Sequence, residues 1–103
     1  MYARFVTGHI KPGKFELATQ MLEKKVIPLL KEQPGFRDEV SFFDKEKNEA
    51  FAISFWDQKL DLENYERDIY PKVKDEMAVA FEELPMIRNC EIANSTWYKI
   101  HAV

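Results

Sequence analysis

Arg4, Trp56, Tyr65 and Tyr70 are the side chains of this sequence that best suit a binding pocket for a small molecule. Aromatic rings can wall an apolar pocket, and a tyrosine hydroxyl can donate a hydrogen bond to a bound molecule. The guanidinium of Arg4 can stabilise an oxygen atom that becomes negative during a reaction. The simpler interpretation is that the aromatic residues belong to the core, and that Arg4 packs its stem while its charged head reaches water.

Residues 50–56 form the segment that must position these side chains. The segment has strand-type composition, carries no charge and does not alternate between apolar and polar residues, which indicates a strand covered on both faces. Alternation gives it a phenylalanine side and a small-residue side. These sides consist of Phe51, Ile53 and Phe55, and of Ala50, Ala52, Ser54 and Trp56, respectively. Because helices approach small residues closely, we expect helices and pocket on the small-residue side, together with Arg4 and Val6 of the first strand.

The predicted elements follow the order strand, helix, strand, strand, helix, strand. Residues 2–10, 36–43, 50–56 and 86–100 are expected as strands, the last one bulged near Asn94. Residues 14–32, 60–68 and 71–84 are expected as helices, with Phe81 and Leu84 on the buried face of the last. Pro28 should kink or split the first helix, since proline lacks a backbone donor. This order predicts one α+β domain over residues 1–103 with the ferredoxin-like βαββαβ fold, a four-stranded antiparallel sheet with both helices on one face.

The phenylalanine side of the sheet would then be uncovered, and Phe5 and one of Phe42 or Phe43 should join it. About five exposed apolar side chains of this kind forfeit roughly 10 kcal/mol, at about 2 kcal/mol each. That is comparable with the whole stability of a domain, about 5–15 kcal/mol. We therefore expect a second copy of the chain to cover this face in a two-fold homodimer.

Composition excludes several classes of function. The net charge of −3 argues against a surface that binds nucleic acid or an anionic membrane. Cys90 is the single cysteine, which favours a reducing compartment, and we expect a cytoplasmic protein without a signal peptide or membrane span. His9 and His101 are far apart and have no ligand-spaced cysteine or carboxylate beside them, so no metal site is predicted.

Several short motifs follow one another in the order and spacing of a known family. They are Tyr2-Ala3-Arg4-Phe5-Val6-Thr7, Lys11-Pro12-Gly13-Lys14, Val26-Ile27-Pro28, Gln33-Pro34-Gly35-Phe36 and Ser54-Phe55-Trp56. Over nearly its whole length the sequence resembles antibiotic biosynthesis monooxygenase-like domains of the dimeric α/β-barrel superfamily. The resemblance implies two sheets packed face to face, a pocket within each subunit between sheet and helices, and a cofactor-independent oxidation of a small apolar or aromatic molecule.

Three other functions have to be weighed against this one. A non-catalytic protein that binds a ligand or a partner would use the same fold and need no titratable group in its pocket. Haem-degrading members of the family carry asparagine, tryptophan and histidine where this chain has Val6, Tyr65 and Asp75, which disfavours haem degradation. RNA-recognition domains share the element order, but Glu49, Ala50 and Ile53 replace the basic, glycine and aromatic positions of their third strand.

Overall fold

The computed structural model describes residues 1–101, which include one four-stranded antiparallel sheet with the strand order β2-β3-β1-β4. In chain order the elements are β1 (Tyr2–His9), α1 (Phe15–Met21), a π-helical turn (Leu22–Val26), α2 (Ile27–Lys31), β2 (Phe36–Asp44), β3 (Glu49–Trp56), α3 (Lys59–Asp68), α4 (Tyr70–Met77), a 3₁₀ turn (Ala78–Ala80) and β4 (Met86–Glu91). The predicted ferredoxin-like α+β arrangement is confirmed.

The helices cover the small-residue side of the central strands, as predicted. β1 and β3 pair along their whole length, from Tyr2 opposite Trp56 to His9 opposite Glu49. Trp56 is completely buried and forms a core cluster with residues of the helices, among them Leu62 and Val73. Between residues 1 and 101 no helix combines the length and the apolar character that a membrane crossing would require.

Pro28 interrupts the first helical region, as predicted, and the interruption takes the form of a wider turn. Residues 22–26 adopt a π-helical turn between α1 and α2. Because Pro28 has no N–H, the carbonyl of Lys24 loses its α-helical donor, and π-helical turns accommodate such defects. Leu22 and Val26 of this turn line a cavity between the helices and the sheet.

The last helical region is shorter than predicted. α4 ends at Met77, and after the 3₁₀ turn Phe81 is extended (φ −111°, ψ 144°) and forms a β-bridge with Ile10. The backbone N–H of Glu82 donates to the carbonyl of His9 at 2.9 Å. These bonds to the end of β1 replace a further helical turn, so Phe81 and exposed Leu84 do not lie on a helix face as predicted.

The prediction of a last strand up to residue 100 was wrong, because β4 ends at Glu91. Glu91 pairs with Tyr2, the first residue of β1, so β1 has no further strand residue with which β4 could pair. In the segment of residues 92–101, the N–H of Ile92 still donates to the carbonyl of Met1 at 2.9 Å. The chain then leaves the sheet edge and turns at Ser95, whose hydroxyl accepts a hydrogen bond from the N–H of Trp97 at 2.9 Å.

Residues 92–101 cover one end of the phenylalanine side. Phe55 is only 7% exposed, and its ring centre lies 5.5 Å from that of Trp97 in an edge-on arrangement. Ile100 and Met1 pack in the same cluster. The expectation that the whole phenylalanine side lies open was therefore wrong at Phe55, where the chain covers its own sheet.

The other end of the phenylalanine side is open in the monomer. Phe5, Phe42 and Phe51 are each between 37% and 47% exposed. Phe43, the alternative to Phe42, points to the helices, where its ring centre lies 5.5 Å from that of Phe15. We refer to Phe5, Phe42 and Phe51 as the open aromatic patch.

Candidate functional site: a cavity between sheet and helices

A cavity of about 420 Å³ lies between the sheet and the helices. Its volume falls within the range of known ligand pockets, about 300–1,000 Å³. Side chains of β1, β2 and β3 form its floor, and the π-helical turn, α4 and the segment of residues 81–85 provide walls and rim. The floor includes Arg4, Val6, Glu39, Ala50, Ala52 and Ser54.

Small residues in the two central strands create this space. Gly8 pairs with Ala50, and Ala52 pairs with Val6. A Cβ atom at Gly8 would lie 3.0 Å from the Phe81 ring, so this position accepts no larger residue unless the ring moves. The cavity is therefore a consequence of the small residues that the sequence places on the helix side of β1 and β3.

Arg4 places a buried positive charge at the cavity. The residue is 3% exposed, and its Nε donates to Glu66 Oε2 at 3.0 Å. The other oxygen of Glu66 accepts from Nδ2 of Asn89 at 2.9 Å, which holds the carboxylate in place. Arg4 Nη2 is buried and has no hydrogen-bond partner within residues 1–101. A buried donor without a partner costs about 1–3 kcal/mol, so a bound oxygen that accepts from Nη2 would recover this energy.

Tyr65 and Tyr70 lie against the guanidinium of Arg4. Its central carbon is 4.1 Å from the ring centre of Tyr70 and 5.5 Å from that of Tyr65. Both tyrosines line the cavity. Burial raises the pKa of Tyr65 to about 12, against the effect of the nearby Arg4 charge, so its hydroxyl keeps its proton at neutral pH. The two rings thus provide cation–π contacts and an aromatic wall at the charged end.

Trp56, predicted as a cavity wall, lies beneath the wall instead. Its ring centre is 5.1 Å from that of Tyr65 and 5.5 Å from that of Phe36, and no part of it is exposed. Its indole N–H donates to the hydroxyl of Ser54 at 2.9 Å. Trp56 therefore supports Tyr65 and orients Ser54, whereas Arg4, Val6, Tyr65 and Tyr70 line the cavity itself.

A row of polar residues crosses the helix-facing side of the sheet from strand to strand, and three of its four members, Glu39, Ser54 and Arg4, line the cavity. In the register of the sheet, Glu39 of β2 pairs with Ser54 of β3, which pairs with Arg4 of β1, which pairs with Asn89 of β4. We call these four residues the polar row. Neighbouring strands lie about 4.8 Å apart, so the row places a carboxyl and a guanidinium on backbone positions about 10 Å apart.

Sequence reasoning missed two residues of the polar row, Glu39 and Asn89. Glu39 is half-buried, lines the cavity, and accepts a hydrogen bond from the hydroxyl of Ser41. Burial raises the pKa of Glu39, the Ser41 hydroxyl lowers it, and the charge of Asp38 adds to the increase. A register shift between Phe36 and Asp38 sets the faces of β2, and no feature of the sequence announces it.

No protein-family model matches the sequence, and no curated protein does at a significant level. Solved structures do match. A monooxygenase of Streptomyces coelicolor, crystallised with nanaomycin D, has a TM-score of 0.79 at 12% identity, over 93% of this chain and 90% of that chain. A protein of unknown function from Nitrosomonas europaea has a TM-score of 0.76 at 15% identity, over 93% and 92%. A structure of an antibiotic biosynthesis monooxygenase has a TM-score of 0.70 at 12% identity, over 89% and 98%.

The chain has the fold of the antibiotic biosynthesis monooxygenases. At these identities the likeness concerns the fold, and a shared fold does not fix an activity. The polar and aromatic side chains of this chain that line the cavity and could contact a ligand include Glu39, Ser54 and Arg4 of the polar row, with Tyr65 and Tyr70.

The rim of the cavity in this monooxygenase fold is attached to β1 by His9. Both the backbone N–H and Nδ1 of His9 contact Glu83 Oε1, at 3.0 Å and 2.8 Å. The contact with Glu83 raises the pKa of His9, and the same contact lowers the pKa of Glu83. His9 therefore fixes the segment of residues 81–85 to the end of β1. Its ring contacts Glu83 and is not part of the polar row.

Proposed function

We propose that this protein binds a small apolar or aromatic molecule in the cavity and oxidises it with O₂ as a cofactor-independent monooxygenase. The observation that carries the proposal is the buried, unpartnered Nη2 of Arg4 beside an apolar space of about 420 Å³. An oxygen atom of a ligand would satisfy this donor, and the space would hold the carbon skeleton.

Several residues of the cavity support this chemistry. A phenol and O₂ together give a quinone and water, so the reaction consumes no external reductant. The phenol must lose a proton, and the anion must be stabilised in an environment with little water. Arg4 supplies positive charge, Tyr65 and Tyr70 supply flat apolar contact, and helices cover the floor.

A second candidate is a non-catalytic ligand-binding protein of the same fold. The engagement of Arg4 by Glu66 favours it, because a guanidinium already neutralised by a carboxylate stabilises a new negative charge less strongly. Such a protein would bind aromatic molecules in the cavity but would leave them chemically unchanged.

We further propose that the chain forms a homodimer through the open aromatic patch and works in the cytoplasm. The patch is apolar and lies on the sheet face that carries no helices. The segment of residues 92–101 would lie at the edge of such an interface, where Trp97 and Tyr98 are 55% and 90% exposed.

Binding and turnover are tested in that order. Titration with α-naphthol, followed by the intrinsic tryptophan fluorescence, should show saturable binding to the wild-type protein. Ala52→Leu fills the cavity and should weaken binding at least tenfold, while Ala93→Leu on an exposed loop should not. Oxygen consumption with α-naphthol then separates the two candidates, because only an enzyme consumes O₂ and forms a naphthoquinone. Absence of saturable binding by α-naphthol and by other phenols would refute both.

A further inference from the structure

The cavity floor contains a carboxyl group for which the fold offers no structural reason. Glu39 is half-buried, and its hydrogen-bond partner in the described part of the chain is the hydroxyl of Ser41. None of the ion pairs found among residues 1–101 includes it. A half-buried carboxylate without a cation destabilises a folded protein, and such groups cluster at sites of proton transfer.

Other acidic groups around the cavity are differently placed. Glu66 is bound to Arg4 and Asn89, and Glu83 is bound to His9. Glu82 lies exposed at the rim. The groups of opposite charge that border the cavity are Arg4 of β1, Lys11 of the following turn and Lys74 of α4. Glu39 is thus the half-buried acid that faces the apolar space and is free of a cation in the described structure.

The polar row sets the shape of a molecule that uses Glu39 and Arg4 together. Their backbone positions lie two strands apart, about 10 Å, with Ser54 between them. A flat ring with one polar group at each end spans such a gap. If the two groups are conjugated, loss of a proton at one end places negative charge on the oxygen at the other.

We propose that Glu39 is the proton acceptor of this cavity and takes the proton of a bound molecule whose anion is held by Arg4. The inference rests on the proposed binding of aromatic molecules and adds the acid–base residue. In the step itself the O–H bond of the ligand breaks and its electron pair stays on oxygen. The proton forms a new O–H bond on the Glu39 carboxylate, and the delocalised negative charge is shared with the oxygen that accepts from Arg4 Nη2.

The experiment uses para-nitrophenol as the probe, because it carries a hydroxyl and an oxygen acceptor at opposite ends of one ring. At one pH unit below its own pKa the free probe is about one tenth ionised. Bound to the wild-type protein at that pH, more than half should show the phenolate spectrum. Infrared difference spectra should show a new protonated carboxyl band on binding.

Variants of the protein test which carboxylate takes the proton of the bound probe. In Glu39→Gln the carboxyl band should vanish, and any phenolate that still forms should release its proton to the solvent, as an indicator dye measures. Glu46→Gln, which removes an exposed carboxylate in the turn between β2 and β3, should behave like the wild type. Para-nitroanisole has the same shape without the acidic proton and should bind without the band.

Two failures are distinguishable. If para-nitrophenol and para-nitroanisole both fail to bind, the proposed function is refuted together with this inference. If para-nitrophenol binds to the wild type but releases its proton to the solvent, or if the carboxyl band persists in Glu39→Gln, then Glu39 is not the acceptor and only this inference is overturned.

Discussion

The guanidinium carbon of Arg4 lies 4.1 Å from the ring centre of Tyr70, on the side chain that also bonds to Glu66. This contact and the ion pair explain how the fold accommodates an arginine of β1 that is only 3% exposed. One carboxylate balances its charge and two tyrosine rings lie against it, while Nη2 is buried and has no hydrogen-bond partner among residues 1–101. A ligand oxygen that reaches Nη2 would supply the acceptor that this donor lacks.

Removing this charge should weaken anion binding specifically. Arg4→Met keeps an unbranched apolar stem but removes the guanidinium that would donate to the anion. A hydrogen bond to a charged group is worth about 1.5–3 kcal/mol. We expect the affinity for para-nitrophenolate to fall roughly 10- to 150-fold, while that for para-nitroanisole changes little. Titration by absorbance and fluorescence measures both. Arg37→Met, at an exposed ion pair with Asp57, is the matched control. Equal losses for both probes would show that Arg4 acts on the fold rather than on the charge of the ligand.

Glu39→Gln should stabilise the protein at neutral pH. Because burial raises the pKa of Glu39, the folded state binds its proton more tightly than the unfolded chain does. The contribution of this residue to the free energy of unfolding therefore falls as pH rises from the ordinary value of 4.5 through the raised value. In urea unfolding at neutral pH, the free energy of unfolding of Glu39→Gln should exceed that of the wild type. This difference should disappear below pH 4.5. A variant that is less stable than the wild type at neutral pH would contradict this.

The attachment of the cavity rim should depend on pH. The pKa of His9 is raised by its contact with Glu83. The stability that His9 adds to this contact is therefore complete below the ordinary pKa of 6.5 and is lost as pH rises through the raised pKa. The pKa of Glu83 is lowered, so its contribution is complete above 4.5 and is lost as pH falls through the lowered value. Amide exchange at Glu82, whose N–H donates to His9, should be slowest between pH 4.5 and 6.5 after correction for intrinsic rates. In His9→Ala this minimum should disappear; its persistence would exclude the pair as the cause.

Gly35→Ala should destabilise the fold more than Gly13→Ala. Both glycines have a left-handed backbone, with φ of +79° and +78°. A Cβ at Gly35 would overlap the carboxylate of Asp61, whereas at Gly13 it would meet nothing within 4 Å. Gly13→Ala should therefore cost about 1–2 kcal/mol for the backbone alone, and Gly35→Ala should cost more. Urea unfolding measures both, and adding Asp61→Ala should narrow the difference. If the two glycine variants lose equal stability, the contact with Asp61 is not limiting.

The open aromatic patch should mediate dimerisation. Sedimentation velocity at micromolar concentration should give a dimer for the wild type, and Phe42→Asp should shift it to monomer, because a charge cannot be buried unpaired in an apolar interface. Phe42 is 47% exposed in the single chain, so the change should cost the monomer little stability. Leu60→Asp, at a 65% exposed residue of α3, should leave the dimer intact. A stable wild-type monomer at this concentration would refute the dimer.

Sequence reasoning was reliable where periodicity is unbroken and partners lie in register. Successive side chains of a strand point to opposite faces, and this period of two identified the two faces of β3 from residues 50–56. It therefore placed Arg4, Val6 and Ser54 on the helix side correctly. It was less reliable at segment ends, where β4 stopped at Glu91 because β1 begins at Tyr2. The length of a strand depends on its neighbour, which local composition does not reveal.

The sequence by itself determined the element order and which side chains of β1 and β3 meet the helices, since these follow from spacing along single strands. Only the tertiary structure decided that Glu39 enters the cavity. The register shift between Phe36 and Asp38 inserts one residue into β2, and one inserted residue moves every later side chain to the opposite face. Without it, simple alternation from Phe36 would have put Asp38 and Val40 on the helix side. Pairing with β3, which places Phe36 opposite Trp56 and Glu39 opposite Ser54, is the physical reason that the acid faces the ligand space.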